Sequence, residues 1–232
     1  MNEVNSCKFD HLAQNLIRSN AGNSYFKNTR MLVPLNKFNY KECLLERFCL
    51  DTVLIIEPSI IGFGVSLHYE KGLLMQVITR EGNDITKSLN KKENFPKKLP
   101  VEIDIQVRGK LYNSAIDNAN VRLLANRYLI KGKFGCERVR LCVFQILNTD
   151  LNHSTQLREL EKLGFETPEY EMTSFIGEID LYLELWEECE LFSKYPSNGI
   201  VLKVNSRRFQ KQLGQNHSFL NWAFIIKSTR NT

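Results

Sequence analysis

The 232-residue sequence lacks several features that would settle its class at once. No apolar stretch approaches the ~20 residues of a membrane-spanning helix, so no helical span is expected. The first residues, MNEVNSCKFDHLAQ, show no basic start followed by an apolar run, so no secretory signal is expected and the cytoplasm is the default compartment. The six cysteines (Cys7, Cys43, Cys49, Cys136, Cys142, Cys189) form no CxxC pair, and several sit in apolar stretches such as LCVF. Buried, reduced thiols account for them. The four histidines (His11, His68, His153, His217) are scattered with no zinc-binding spacing, so no metal site is expected. Repeats and low-complexity tracts are absent as well.

What is present suits a folded domain. At 43% hydrophobic and 25% charged, the chain can bury a core without disulfide or metal staples. A formal net charge of +5 leans mildly toward anionic partners and falls short of a nucleic-acid fingerprint. Lys91, Lys92, Lys97 and Lys98 gather in one Pro-containing loop, where solvation explains them as well as a phosphate contact does.

Residues 1–30 are polar, with one weak helical stripe of Phe9, Leu12, Leu16 and Ile17, and read as a separate N-terminal helical segment before a domain over 31–232. Residues 40–50 suggest a short helix with Leu44, Leu45 and Phe48 inward. A buried strand at 53–57 follows, then two apolar runs joined by Glu70-Lys71-Gly72, a hairpin signal. Period-two alternation predicts strands over 101–112 and 138–147. Ser154 is placed to cap a helix running through Leu163, with Gly164 stopping it. A longer helix is predicted over 173–192, with Ile176, Ile179, Leu183 and Trp186 at helical spacing. Strands at 199–205 and 221–227 close the chain. The class is α+β, with antiparallel sheets and helices on their outer faces.

The segment EPSIIGFGVSLHYEKGLLMQVITREG (57–82) resembles the centre of the NAD-dependent DNA ligase adenylation domain, which reads E-P-K-x-D-G, S-L-x-Y, E-x-G and T-R-G-D-G. The likeness continues through VRGKLY, LCVFQIL, LEKLGFE, SNGIVLKVN, QKQLG and NWAFIIK, in the family's order over residues 31–232. It implies a DNA ligase/nucleotidyltransferase (ATP-grasp-like) fold in which antiparallel sheets form a cleft with flanking helices. In such a cleft adenosine lies between the sheets and lysines approach its phosphate. The family's lysine attacks the α-phosphorus, because an amine among other cations can lose its proton, and neighbouring lysines neutralise the charge that develops.

Four departures bear on that chemistry. Ser59 stands at the nucleophilic lysine, and Ile61 at the aspartate two residues on. Lys110 replaces a ribose-contacting glutamate, reversing its charge, and Asn221 replaces an arginine. Glu57, Arg80, Lys203, Trp222 and Lys227 match, and Phe144 holds an aromatic position. The resemblance therefore implies nucleotide-binding candidates Glu57, Arg80, Lys110, Phe144, Lys203 and Lys227, with no catalytic residue. Each has a plainer reading: a strand end for Glu57, surface pairs for Arg80 and Lys203, core packing for Phe144 and Trp222. Lys110 is either a relocated nucleophile or simply a new cation in the site.

The nicotinamide-gripping Y-x-x-x-D pattern and the family's DNA-encircling modules are not recognisable in these residues, so a stand-alone sealing cycle is not expected. The leading expectation is a non-catalytic homologue acting as a protein-binding or scaffold module. The alternatives are a residual binder of adenine nucleotide or nucleic acid, and an active nucleotidyltransferase with altered chemistry. No cofactor is firmly expected beyond weak binding of AMP, NAD or phosphate. The acidic positions Glu178, Asp180, Glu184, Glu187, Glu188 and Glu190 would repel DNA, which places any DNA contact near Arg207, Arg208 and Lys211.

Overall fold

The computed structural model of the chain describes residues 31–49, 51–90, 95–114 and 139–227. The expected helical stripe in 1–30 lies outside them, as do Lys91 and Lys92.

Among the described residues, nine strands build two sheets. The first sheet has the order β1 (Met31–Leu35), β9 (Phe219–Lys227), β8 (Ser197–Val204), β2 (Leu54–Ile60) and β7 (Glu171–Thr173). The second runs β4 (Leu73–Thr79), β3 (Phe63–Glu70), β5 (Ile105–Asn113) and β6 (Val139–Ile146). All pairings are antiparallel except β1 with β9. The class read from the sequence is the observed one.

Period-two alternation decides what each face carries. On the first sheet, Leu54, Ile56, Ile200, Leu202 and Val204 point outward into a core with α1 (Tyr40–Leu45) and α4 (Ile179–Glu187), where Tyr40, Leu44, Ile179 and Leu183 are buried. Trp222 packs into this same core. On the second sheet, Val65, Leu67, Val107, Leu111, Leu141 and Val143 face outward, covered by α2 (Thr86–Asn90) and by Leu160, Leu163 and Phe165 in and after α3 (His153–Lys162). The two inner faces, carrying the polar residues of these strands, are left to the cleft. The β2–β3 connection, only Ile61 and Gly62, steps from one sheet to the other.

Several predicted boundaries move. Leu45 is exposed, unlike Leu44 and Phe48. Residues 101–104 stay outside β5, because the chain there bonds to the Lys71–Gly72 turn instead: Lys71 N–H donates to Asp104 and Gly72 N–H to the Ile103 carbonyl. Asn152, not Ser154, is the residue before α3, and the Ser154 N–H is satisfied from outside by Asn205 Oδ1 at 2.9 Å. The helix expected over 173–192 is shorter. Thr173 pairs with Leu54 in β7, a 3-10 turn occupies Ile176–Glu178, and α4 ends at Glu187, with Cys189 and Phe192 at positive φ. Of its acidic residues, Glu187 and Asp180 are not simply solvated, since they pair with Lys37 and Lys41. The helix α5 (Arg207–Leu213), capped by Ser206, was not anticipated.

Candidate functional site

Alternation along β2 turns Glu57 and Ser59 inward while Ile56 enters the outer core. Across the pairing, Lys203 on β8 points to the same side. Glu57 and Lys203 are 3% and 7% exposed, and the Lys203 ammonium lies 2.6 Å from Glu57 Oε2. His153, the first residue of α3, completes the group. Its Nε2 makes a short contact to Glu57 Oε1 and lies 3.2 Å from Lys203 Nζ. The tautomer with its proton on Nε2 donates to Glu57, so both carboxylate oxygens are engaged. The start of the helix is held there by the backbone N–H of His153, which donates to the Asn205 carbonyl at 2.9 Å.

Burial would raise the Glu57 carboxyl, but Lys203 and His153 outweigh it and bring its pKa down to about 2. Burial and the adjacent ammonium hold His153 below its ordinary value, only partly offset by Glu57. At neutral pH Glu57 is therefore a carboxylate and His153 a neutral imidazole. The Lys203 ammonium also lies 4.9 Å from the centre of the Phe144 ring, a cation–π distance that joins the two sheets.

The other positions singled out from the sequence are placed differently. Ser59 is buried, and its hydroxyl donates to Asn198 Oδ1 at 2.9 Å. Ile61 is partly buried, with its N–H on the Pro196 carbonyl. Lys110 reaches back to the Ile60 carbonyl at 2.6 Å. Asn221 bonds the Leu213 carbonyl. Arg80 and Lys227 are exposed. The structure thus brings Glu57, Lys203 and Phe144 into contact and sets Lys110 beside the Ser59 segment. The expected surface pair for Lys203 is instead a buried one.

His153 was missed because no sequence spacing links it to Glu57 or Lys203; only the Asn-His-Ser start of a helix hints at it. Arg108 on β5 was also passed over. It shares the inner face with Lys110 and is partly buried. Cys142 lies buried beneath this region, where burial, then Glu166 and Glu57, push its thiol well above the ordinary range.

Ser59 shares β2 with Glu57, whose carboxylate is held by Lys203 and His153. Among the described residues, no group of three His, Cys, Asp or Glu side chains is placed to hold a metal ion. Nor is any helix among them long and apolar enough to cross a membrane. Arg207, Arg208 and Lys211 line a recess of about 550 Å³ with Asp150 and Gln212. There Arg207 bonds Thr149 and Gln210, and Lys211 pairs with Asp150.

Comparison with known proteins agrees with this architecture. Residues 32–127 match the family model of the NAD-dependent DNA ligase adenylation domain. The chain is 30% identical over 204 aligned residues to a DNA ligase of Anoxybacillus flavithermus, covering 76% of this chain and 30% of that one. It is 28% identical over 243 aligned residues to a DNA ligase of Phytoplasma australiense, covering 90% and 36%. The chain thus spans about a third of the length of these curated relatives. Among solved structures, one from a structure-function study of Lig E DNA ligases superposes with a TM-score of 0.53 at 13% identity, over 85% of this chain and 69% of that one. A putative ATP-dependent DNA ligase from Aquifex aeolicus gives 0.52 at 16% identity, over 85% and 49%. At such identities the structural likeness speaks for the fold.

Proposed function

We propose that this chain, a homologue of the NAD-dependent DNA ligase adenylation domain, is non-catalytic and serves as a binding module for another protein. The observation behind this reading is the state of Ser59. At the position of the family's nucleophilic lysine stands a buried hydroxyl that donates to the Asn198 amide oxygen, an acceptor too weakly basic to take its proton. Glu57 supports it, since both oxygens of its buried carboxylate are already engaged, one by Lys203 and one by His153.

A second reading is favoured by the cations of the cleft. Arg80, Arg108, Lys110 and Lys227 make it attractive to an anion, so weak, salt-sensitive binding of phosphate or a nucleotide's phosphate end accompanies the first role. The recess at Arg207, Arg208 and Lys211 is the surface on which a DNA contact would fall.

Thermal unfolding with AMP, GMP and NAD at low and high salt tests the loss of nucleotide recognition. A ligand at a hundredfold excess over its Kd stabilises by about 2.7 kcal/mol, which is readily seen. The expected result is a small shift, equal for AMP and GMP and erased by salt. A large shift selective for AMP or NAD and insensitive to salt would show a working adenine site and contradict the proposal.

A further inference from the structure

A recess of about 600 Å³ lies between residues 165–171, which lead from α3 into β7, and residues 191–195, which lead from α4 into β8. None of Glu57, Ser59, Lys110 and Lys203 lines it, so it is separate from the cleft. Its walls are apolar and aromatic: Phe165, Phe192 and Tyr195 are buried there, and Tyr170 is partly buried. Two contacts fix the Tyr195 ring. Its hydroxyl donates to the Thr167 carbonyl at 2.9 Å, and it meets the Tyr112 ring edge-on with centroids 5.7 Å apart.

Over these walls the charge is acidic, in a chain whose formal net charge is +5. Glu161, Glu166, Glu169 and Glu171 line the recess, and Lys194 is the one cation among its lining residues. Glu161 accepts from Thr167 and Glu166 from Tyr112. Glu169 and Glu171 are exposed and make no ion pair among the described residues. Glu161 comes from the last turn of α3, where the helix dipole itself favours a cation. Lys194 shows how a cation sits here: its ammonium is 3.1 Å from Glu166 and 5.1 Å from the centre of the Tyr195 ring. That side chain is half exposed, and so open an ion pair is given up at little cost to an incoming cation.

Beside the recess the surface turns apolar. No described strand lies on the outer edge of β7, and Met172 and Phe175, which follow Glu171 in the chain, are exposed. An acidic recess with aromatic walls, next to a Met and Phe strip on a sheet edge, is complementary to a peptide carrying cationic and apolar side chains. The same charge repels a nucleic-acid backbone.

We propose that this recess and the adjoining β7 edge receive a basic segment of the protein partner, with an arginine side chain seated between the Tyr195 ring and the carboxylates of Glu166, Glu169 and Glu171. A planar guanidinium suits both walls, since it stacks on an aromatic ring and bonds carboxylates through paired N–H donors. This assignment rests on the protein-binding reading and adds the surface and the chemistry of the partner.

Fluorescence anisotropy of the full chain with three short, labelled and capped peptides tests the site. One alternates arginine with serine, one norleucine with serine, and one glutamate with serine. The variants are Glu169→Gln/Glu171→Gln, Lys194→Met and a control at exposed positions elsewhere with the same change of charge, Glu81→Gln/Glu102→Gln. The arginine peptide is expected to bind wild type and the control alike, and Glu169→Gln/Glu171→Gln about tenfold more weakly. Lys194→Met is expected to bind it about threefold more tightly, because the chain's own cation no longer occupies the ring. The norleucine and glutamate peptides are expected not to bind. Undiminished binding by Glu169→Gln/Glu171→Gln, equal weakening in the control, or no gain in Lys194→Met would overturn the assignment to this recess and leave the protein-binding reading intact. Norleucine binding as strong as arginine binding would overturn the cationic occupant. No binding of the arginine peptide to wild type would overturn the basic partner, whereas the protein-binding reading itself falls to a thermal shift selective for AMP or NAD.

Discussion

Glu57 is a site candidate whose surroundings the fold defines. The resemblance assigns this carboxylate and Lys203 to a bound nucleotide, whereas the structure pairs them with each other and with His153. Removing one member of a buried ion pair leaves its partner charged and unmatched, at a cost of about 3–5 kcal/mol, whereas an apolar replacement of both is often close to neutral. Lys203→Met is therefore expected to lose about that much stability in urea unfolding, and Glu57→Leu/Lys203→Met to recover most of it. Equal stability of the single variant and wild type would show that the pair holds nothing together.

The same group sets a pH dependence. The Glu57 carboxyl, ordinarily near 4.5, is depressed to about 2 in the folded chain. Its contribution is complete above 4.5 and drains away as pH falls toward about 2. His153 is held below its ordinary 6.5, so the unfolded chain takes up a proton the native one refuses, and stability also declines as pH drops below 6.5. Urea midpoints are expected to be flat above about pH 7 and to fall in two stages, the upper one missing in His153→Gln. A midpoint that rises on acidification would contradict both assignments.

At the scale of elements, the strands were legible because a half-buried strand writes its faces into the sequence as alternation. The Glu70-Lys71-Gly72 turn was legible because two consecutive residues at positive φ favour glycine at the second. Helix ends were not: Thr173 has the spacing of a helix start, but its pairing with Leu54 takes it into β7. The helix Arg207–Leu213 is short and polar, too weakly periodic to stand out. Within the site, inward orientation was readable for Lys110 and Lys203, but which charge meets which depends on contacts 50 to 150 residues apart, such as those between Glu57, His153 and Lys203. Gly62 shows what packing alone retains of a motif. A side-chain carbon there would lie 2.5 Å from the Leu111 carbonyl and 3.3 Å from Tyr112 Cβ, where the chain crosses between sheets. Gly62→Ala is expected to cost about 1–3 kcal/mol through forced backbone movement. Gly64→Ala, with open space above it, should stay within about 0.5 kcal/mol. Calorimetric unfolding of the two variants decides this, and equal effects would refute the crowding at Gly62.

For the whole molecule, two cores on the outer faces of two sheets hold the cleft in shape without help from its contents. On the proposed reading, the architecture of an adenylation domain persists after a change of chemistry because Trp222, Phe224 and the outward residues of β2 and β8 pack in one core. On that reading, what would set this chain apart from a working nucleotidyltransferase lies on the inner faces: Ser59 bonded to Asn198, Lys110 bonded to Ile60, and Glu57 held by Lys203 and His153. The most direct measurement is covalent labelling. The purified chain is incubated with NAD or ATP labelled in the adenylate moiety, then denatured and resolved by electrophoresis. The expected result is no label on the chain with either nucleotide; a band near 27 kDa that keeps its label after denaturation would contradict the claim that this domain is non-catalytic.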